Sequence, residues 1–293
     1  MQPILIRGLR RSFRIEGAPL GSPFEGLHAL PDVLSTAPHD ETISLAGVGN
    51  LWTLRLPNGT QISGTLEGLA AEVDARLVRD ACARERETLV IAGSTVVAPN
   101  GKRLVLLARR SALKTAAIVE LLGSGWRVEG NALTFARPNG FIAYPQAIRI
   151  DAEASRVIDP SIDVHLGRPI ESFEGRWRTL YPDALGQPWI INEAPASAIL
   201  FLDLNPGGRR TDIRRLPSQT AFAAALNAVT GKPTAASLSS LMKQISACSA
   251  YQIRSGDSHA LKTAFMRVAD LIGNETRKPF SLCVCPERSC WIA

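Results

Sequence analysis

The chain has no apolar stretch approaching the ~20 residues that a membrane-spanning helix needs. Its opening residues, Met1-Gln-Pro-Ile-Leu-Ile-Arg7, lack the long apolar core of a secretory signal. A cytoplasmic protein with no membrane partner is therefore expected. Cysteine is scarce: five occur in 293 residues. Cys82 and Cys248 fall in candidate helices and read as buried thiols. Cys283, Cys285 and Cys290 cluster near the end without a fourth ligand at zinc spacing. The four histidines (28, 39, 165 and 259) show no ligand pairing, so no metal site is expected. Zinc-finger spacing, RNA-binding aromatic motifs and basic heptads are absent too. That argues against nucleic acid as a partner despite the net charge of +6. The excess is partly local, with Arg7, Arg10, Arg11 and Arg14 near the start and Arg209, Arg210, Arg214 and Arg215 around Asp212. Such arginines on edge strands read as solvated faces that block aggregation.

What remains is the composition of a globular α/β protein, 45% apolar and 20% charged. No internal repeat or low-complexity segment appears. Residues 1–87 read as a β-rich subdomain ending in a helix. Strands are expected at Ile4–Arg7, Ser12–Ile15, Ile43–Leu45, Leu51–Leu56 and Thr60–Ser63, with Leu56-Pro-Asn-Gly-Thr60 as a hairpin turn. From Leu66 to Glu85 the positions Leu66, Leu69, Ala70, Val73, Leu77 and Val78 share one helical face. Residues 88–275 form the α/β domain, and 276–293 a cysteine-containing tail. Within the domain, 151–195 reads as a long irregular excursion. Helices are expected at Ser218–Val229, Ala236–Cys248 and Ser258–Ile272, the last capped by Asp257.

The most informative stretch runs from Leu104 to Thr115. An apolar run, Leu104-Val-Leu-Leu107, meets Ala108-Arg-Arg-Ser-Ala-Leu-Lys-Thr115, and Ala116–Leu122 continues as a helix. Strand, loop ending in Lys-Thr, helix is the layout of the phosphate-binding loop G-x-x-x-x-G-K-[ST]. Both glycines are replaced, the first by Ala108 and the second by Leu113. Upstream lies Thr88–Val97, a second β-rich run that turns through Pro99-Asn-Gly-Lys102. Downstream, Gly123-Ser-Gly125 ends the helix before Trp126-Arg-Val128, and Arg137-Pro-Asn-Gly140 turns into Phe141–Tyr144.

This ordered series resembles the HPr kinase/phosphorylase superfamily, and more closely the HPr-kinase-like proteins found beside bacterial peptide-modification genes. Gly125-Trp126-Arg127 matches the end of the family's P-loop helix, and Tyr144–Arg149 matches its following strand. Ala198–Leu202, Arg215-Leu-Pro-Ser218 and Ala250–Asp257 match its carboxy-terminal half in order and spacing. The resemblance covers about residues 88–270. It implies an α/β P-loop core, with ATP and Mg²⁺ as cofactors if the site is functional, and a peptide or small protein as partner. A homo-oligomer is compatible with it.

The departures fall on the implied chemistry. Gly93 stands in place of the family's His, and Asn131-Ala132 in place of its acidic pair. Asn131 is thus a vestige of the catalytic carboxylate, since an amide cannot serve as a general base. Glu129, two residues earlier, reads either as a displaced carboxylate or as an exposed strand-end Glu. Leu113 puts an isobutyl group where phosphate should approach backbone N–H groups. Lys114 and Thr115 keep the implied phosphate-contacting ammonium and metal-contacting hydroxyl, although a Thr there also suits a helix cap. Arg109, Arg110 and Ser111 offer an anion side-chain donors in place of backbone; the alternative for the arginines is a solvated loop pair. Two functions stay open: a pseudokinase that binds a peptide or protein, and an active Ser/Thr kinase with an atypical loop.

Overall fold

The apolar run at Leu104–Leu107 becomes a fully buried central strand in the computed structural model of the chain. The residues described are 4–7, 12–27, 40–82, 88–108, 111–167, 169–170, 176–208, 210–230, 232–273 and 281–284. The architecture is mixed α/β, as expected. The amino-terminal part is a five-stranded sheet, β1 (Ile4–Arg7), β2 (Ser12–Glu16), β3 (Asp40–Val48), β4 (Leu51–Arg55) and β5 (Gln61–Gly64), paired in that order. Only the β2–β3 pair is parallel. The expected turn closes β4 onto β5: the Leu56 N–H donates to the Thr60 carbonyl at 2.8 Å, with Gly59 at φ +81°. Helix α1 (Leu66–Cys82) buries Leu69, Ala70, Val73 and Leu77 against the inner face of this sheet.

The large sheet begins with β6 (Leu89–Val97) and β7 (Arg103–Leu107), an antiparallel pair joined by the turn at 98–102. Helix α2 (Ala112–Leu122) follows β7 and ends at Gly123. Next come β8 (Arg127–Gly130), β9 (Leu133–Arg137) and β10 (Gly140–Ala143). Strands β8 and β9 run antiparallel to β6 along one edge, with a bulge at Glu129 and a gap in the pairing at Asn131-Ala132. β13 (Ala198–Leu204) lies parallel beside β7 and also parallel to β16 (Ser249–Ser255). β14 (Thr211–Arg215) is antiparallel to β16.

Alternation along these strands sends side chains to two helical layers. Leu104, Leu106, Ala198 and Leu200 pack with α2 and with α6 (Ser258–Gly273). Val105, Leu107, Ile199 and Phe201 pack with α4 (Ser218–Leu226) and α5 (Ala235–Ser246). Asp257 caps α6 as expected, its carboxylate accepting from the Ala260 N–H at 2.7 Å.

Several expectations are corrected. The segment 151–195 is less irregular than its composition suggests. β11 (Ile148–Asp151) pairs with β12 (Trp177–Leu180), and α3 (Ala152–Ser155) with a 3-10 turn at Pro160–His165 lies between them. The strand expected at Tyr144–Arg149 starts only at Ile148, since Tyr144–Ala147 is irregular around Pro145, which has no N–H to give a ladder. α4 stops at Leu226, and Val229–Thr230 forms the short β15 against β6. The tail is not separate throughout: Ser281–Val284 is β17, paired antiparallel with β14. Cys248 sits one residue beyond Ala247, the C-cap of α5. It is half-buried there, and burial pushes its thiol up to about 12. Cys285, Cys290, Arg10, Arg11 and Arg209 lie outside the described residues.

The two parts share a core. Phe135 and Tyr144 of the α/β domain pack into the amino-terminal cluster, and the Tyr144 hydroxyl donates to Asp74 of α1 at 2.6 Å. Burial raises the Asp74 carboxyl above its ordinary range, opposed by the Tyr144 hydrogen bond. A raised acid favours the protonated folded state, so its contribution is full below the unfolded value of 3.8 and is lost as pH climbs through the folded value. Asp74→Asn should therefore match the wild type in acid and gain stability relative to it on the way to neutral pH. Urea denaturation of both proteins across that range checks this; a difference that does not change with pH would contradict it.

Candidate functional site

Strand β6 changes partners halfway. On one edge Leu89–Ala92 pair with β9 and Thr95–Val97 with β8; on the other Val90–Ile91 pair with β15 and Gly93–Val97 with β7. The register on the β8–β9 edge is continuous from Thr95↔Gly130 to Ala92↔Leu133, which sets Ser94 opposite Asn131 and Gly93 opposite Ala132. The interruption in one edge thus meets the change of partner in β6. Helix α2 delivers Lys114 to the same point.

The contacts there are polar and close. Ser94 Oγ donates to the Asn131 carbonyl at 2.7 Å and lies 3.0 Å from Asn131 Oδ1. Lys114 Nζ donates to that same carbonyl at 3.2 Å. The Gly93 N–H donates to the Ala132 carbonyl at 3.0 Å. Lys114 is only 3% exposed and Ser94 fully buried. Behind them the Thr95 and Thr134 hydroxyls lie 3.2 Å apart, both buried. The structure therefore unites three positions singled out in the sequence, Gly93, Lys114 and Asn131, and adds Ser94. The signal for Ser94 was a hydroxyl inside a run of buried strand residues, where polar side chains need partners.

At the start of α2, Ser111 is the N-cap residue in extended conformation (φ −155°, ψ 138°), and its side chain makes no capping hydrogen bond. Thr115 is not a cap; it lies inside the helix, 4% exposed, with its N–H donated to the Ser111 carbonyl at 3.0 Å. Leu113, in the first turn, is buried. Ala108 is half-buried. Arg109 and Arg110 lie outside the described residues. Among the described residues no group of three or more His, Cys, Asp or Glu could hold a metal ion.

Glu129 is neither an exposed strand-end residue nor a carboxylate turned toward Lys114. It is 2% exposed, and Arg103 Nη2 donates to its Oε2 at 2.5 Å. Burial raises the Glu129 carboxyl, while the Arg103 guanidinium pulls the other way. Arg103 also donates to the carbonyls of Phe141 (2.7 Å), Asn192 (2.9 Å) and Ala194. Trp189 Nε1 donates to the Glu129 carbonyl at 2.9 Å, and Arg137 pairs with Glu193 at 3.0 Å. The segment 189–197 is thereby fastened across β8, β9 and β10. Sequence reading missed Arg103 because an Arg just after a turn looks solvated.

Gly93 is crowded. A Cβ there would come within 2.9 Å of Leu107 Cδ2 and 3.0 Å of the Leu106 carbonyl oxygen. A side chain there would need Leu107 to shift its side chain and the Leu106 carbonyl to give by a few tenths of an ångström.

Compared with known proteins, the chain matches no protein-family model and no curated protein sequence.

Two outcomes follow from this geometry. Arg103→Met should cost about 3–5 kcal/mol because Glu129 is left buried and unpaired, whereas adding Glu129→Leu should recover part of the loss. Chemical denaturation of the singles and the double reads the coupling; additive losses would contradict it. Gly93→Ala should cost about 1–3 kcal/mol through overpacking against Leu106 and Leu107, read in the same assay.

Proposed function

We propose that the chain is an HPr-kinase-like protein with a P-loop-type core and a rewritten nucleotide site. On this reading it works by holding a peptide or small protein, in a setting such as peptide natural-product biosynthesis, and not by transferring phosphate. The observation that carries the proposal is the burial of Lys114 on the main-chain carbonyl of Asn131. A working phosphate loop needs that ammonium free to reach the β/γ-phosphates, and needs helix N–H groups that phosphate oxygens can approach. Here Lys114 is turned into the strand junction, and Leu113 brings a buried isobutyl group to the first turn of the helix.

The chemistry of the other groups supports the same conclusion. Asn131 and Ser94 cannot act as general base at neutral pH, and Glu129 is committed to Arg103. General-base assistance alone is worth ~10²–10⁴-fold, and phosphoryl transfer depends further on Mg²⁺ clamped between protein and phosphate oxygens. Arg109, Arg110 and Ser111 precede the helix and give the segment cationic and hydroxyl donors for an anionic group on a partner. The competing reading is an ATP- and Mg²⁺-dependent Ser/Thr kinase. It is favoured by the position of Lys114 and Thr115 in the first turns of α2.

Thermal-shift titration with ATP, GTP and ADP, with and without Mg²⁺, separates the two. A ligand at 100 times its Kd adds about 2.7 kcal/mol of stability; the wild type should show no such shift at millimolar nucleotide. Ala108→Gly with Leu113→Gly should strengthen whatever binding exists. Micromolar, Mg²⁺-dependent binding by the wild type would overturn the proposal. So would phosphate transfer from labelled ATP to peptides encoded by neighbouring genes, if it vanishes in Lys114→Ala.

A further inference from the structure

Strand β5 is the outer edge of the amino-terminal sheet, paired with β4 alone among the described residues. Its hydrogen-bond phase is fixed by the turn. Because the Leu56 N–H bonds the Thr60 carbonyl, the antiparallel alternation makes Leu54·Ile62 and Trp52·Gly64 hydrogen-bonded pairs. Arg55·Gln61 and Thr53·Ser63 are then non-hydrogen-bonded pairs. The N–H and C=O groups of Gln61 and Ser63 consequently point away from β4, along the open edge. Exposed edges are ordinarily blunted by Lys, Pro, charge or a bulge. Gln61-Ile-Ser-Gly64 has none of these. The two outer-face side chains, Gln61 and Ser63, are exposed, and Ser63 Oγ lies 2.9 Å from Thr53 Oγ1. On the inner face Ile62 is only half-buried, as is Leu66 at the start of α1.

We propose that β5 accepts an extended peptide as a sixth strand, and that this edge, together with the apolar step of Ile62 and Leu66, is a peptide-docking surface separate from the Lys114 site. Outward-facing backbone donors and acceptors at every second residue are complemented by another extended backbone, the basis of β-strand addition. The peptide places an apolar side chain next to Ile62 and polar side chains to either side, following the pleat. A second copy of this chain is the weaker occupant. Four residues span about 14 Å, and the surface covered by pairing two edges of that length is well below the ~1,200 Å² that a stable interface buries. A flexible peptide needs no matching rigid surface. The proposal does not rest on the kinase-like reading, and nucleotide results leave it untouched.

The test selects binders to the full-length protein from a displayed library of random short peptides. It then follows amide hydrogen exchange with and without an enriched synthetic peptide. In the free protein the Gln61 and Ser63 amides should exchange fast while those of Ile62 and Gly64 are protected; the peptide should slow Gln61 and Ser63. Ser63→Pro removes an outward N–H without breaking the β4 ladder, so it should fold and weaken the peptide by about tenfold or more. If that variant fails to fold, the exchange data on the wild type decide alone. No enriched peptide, enriched peptides that leave both amides fast, or protection of both amides in the free protein would each overturn the proposal. Sedimentation showing a micromolar dimer that Ser63→Pro dissolves would replace the peptide with a second copy.

Discussion

The buried pair of Arg103 and Glu129 is the constraint on which the arrangement of the α/β domain rests. Two charges removed from water need close pairing and further hydrogen bonds to offset the lost hydration. Arg103 supplies these through both terminal nitrogens, with three main-chain carbonyls besides the carboxylate, while its buried Nε has no partner. Those carbonyls belong to β10 and to the segment after Trp189, which also meet directly through the Phe141–Ala194 backbone bridge. One guanidinium at the first position of β7 thus fixes a returning segment against three strands. It also removes Glu129 from any chemistry at the neighbouring junction.

The junction has its own logic. A strand that changes partners leaves backbone and side-chain groups that neither ladder satisfies, and such groups must be paired when buried. Ser94, Lys114 and Asn131 satisfy one another there. In an open phosphate site the same lysine would face a ligand; here it holds helix α2 to the β8–β9 edge. Gly93, packed on Leu106 and Leu107, is part of the same closure. On the proposed reading, internal contacts take the place of a ligand, which accounts for the joint absence of the motif's glycines and carboxylates.

Much of the fold was legible from the residues. The Leu56–Thr60 turn, the apolar face of α1, the fully apolar Leu104–Leu107 run and the cap at Asp257 each follow from local rules and appear where those rules put them. What was not legible depended on long-range pairing. β11 and β12 are separated by a loop whose composition reads as irregular, and only their pairing makes them strands. In the site, the meeting of Lys114 with Asn131 was implied by family resemblance, but Ser94 and the commitment of Glu129 to Arg103 were not. Glu129 reads as a displaced carboxylate or an exposed strand-end residue, and nothing in the sequence ties it to an Arg 26 residues earlier, until the fold places the two 2.5 Å from each other.

The central claim is that Lys114 serves the protein's own structure. Amine-reactive labelling of the native full-length protein, followed residue by residue by mass spectrometry, tests it directly. The account predicts that Lys114 reacts far more slowly than Lys102 or Lys243, which are not buried, and that Mg²⁺ with ATP leaves its rate unchanged. Fast labelling of Lys114 that Mg²⁺ and ATP suppress would contradict it.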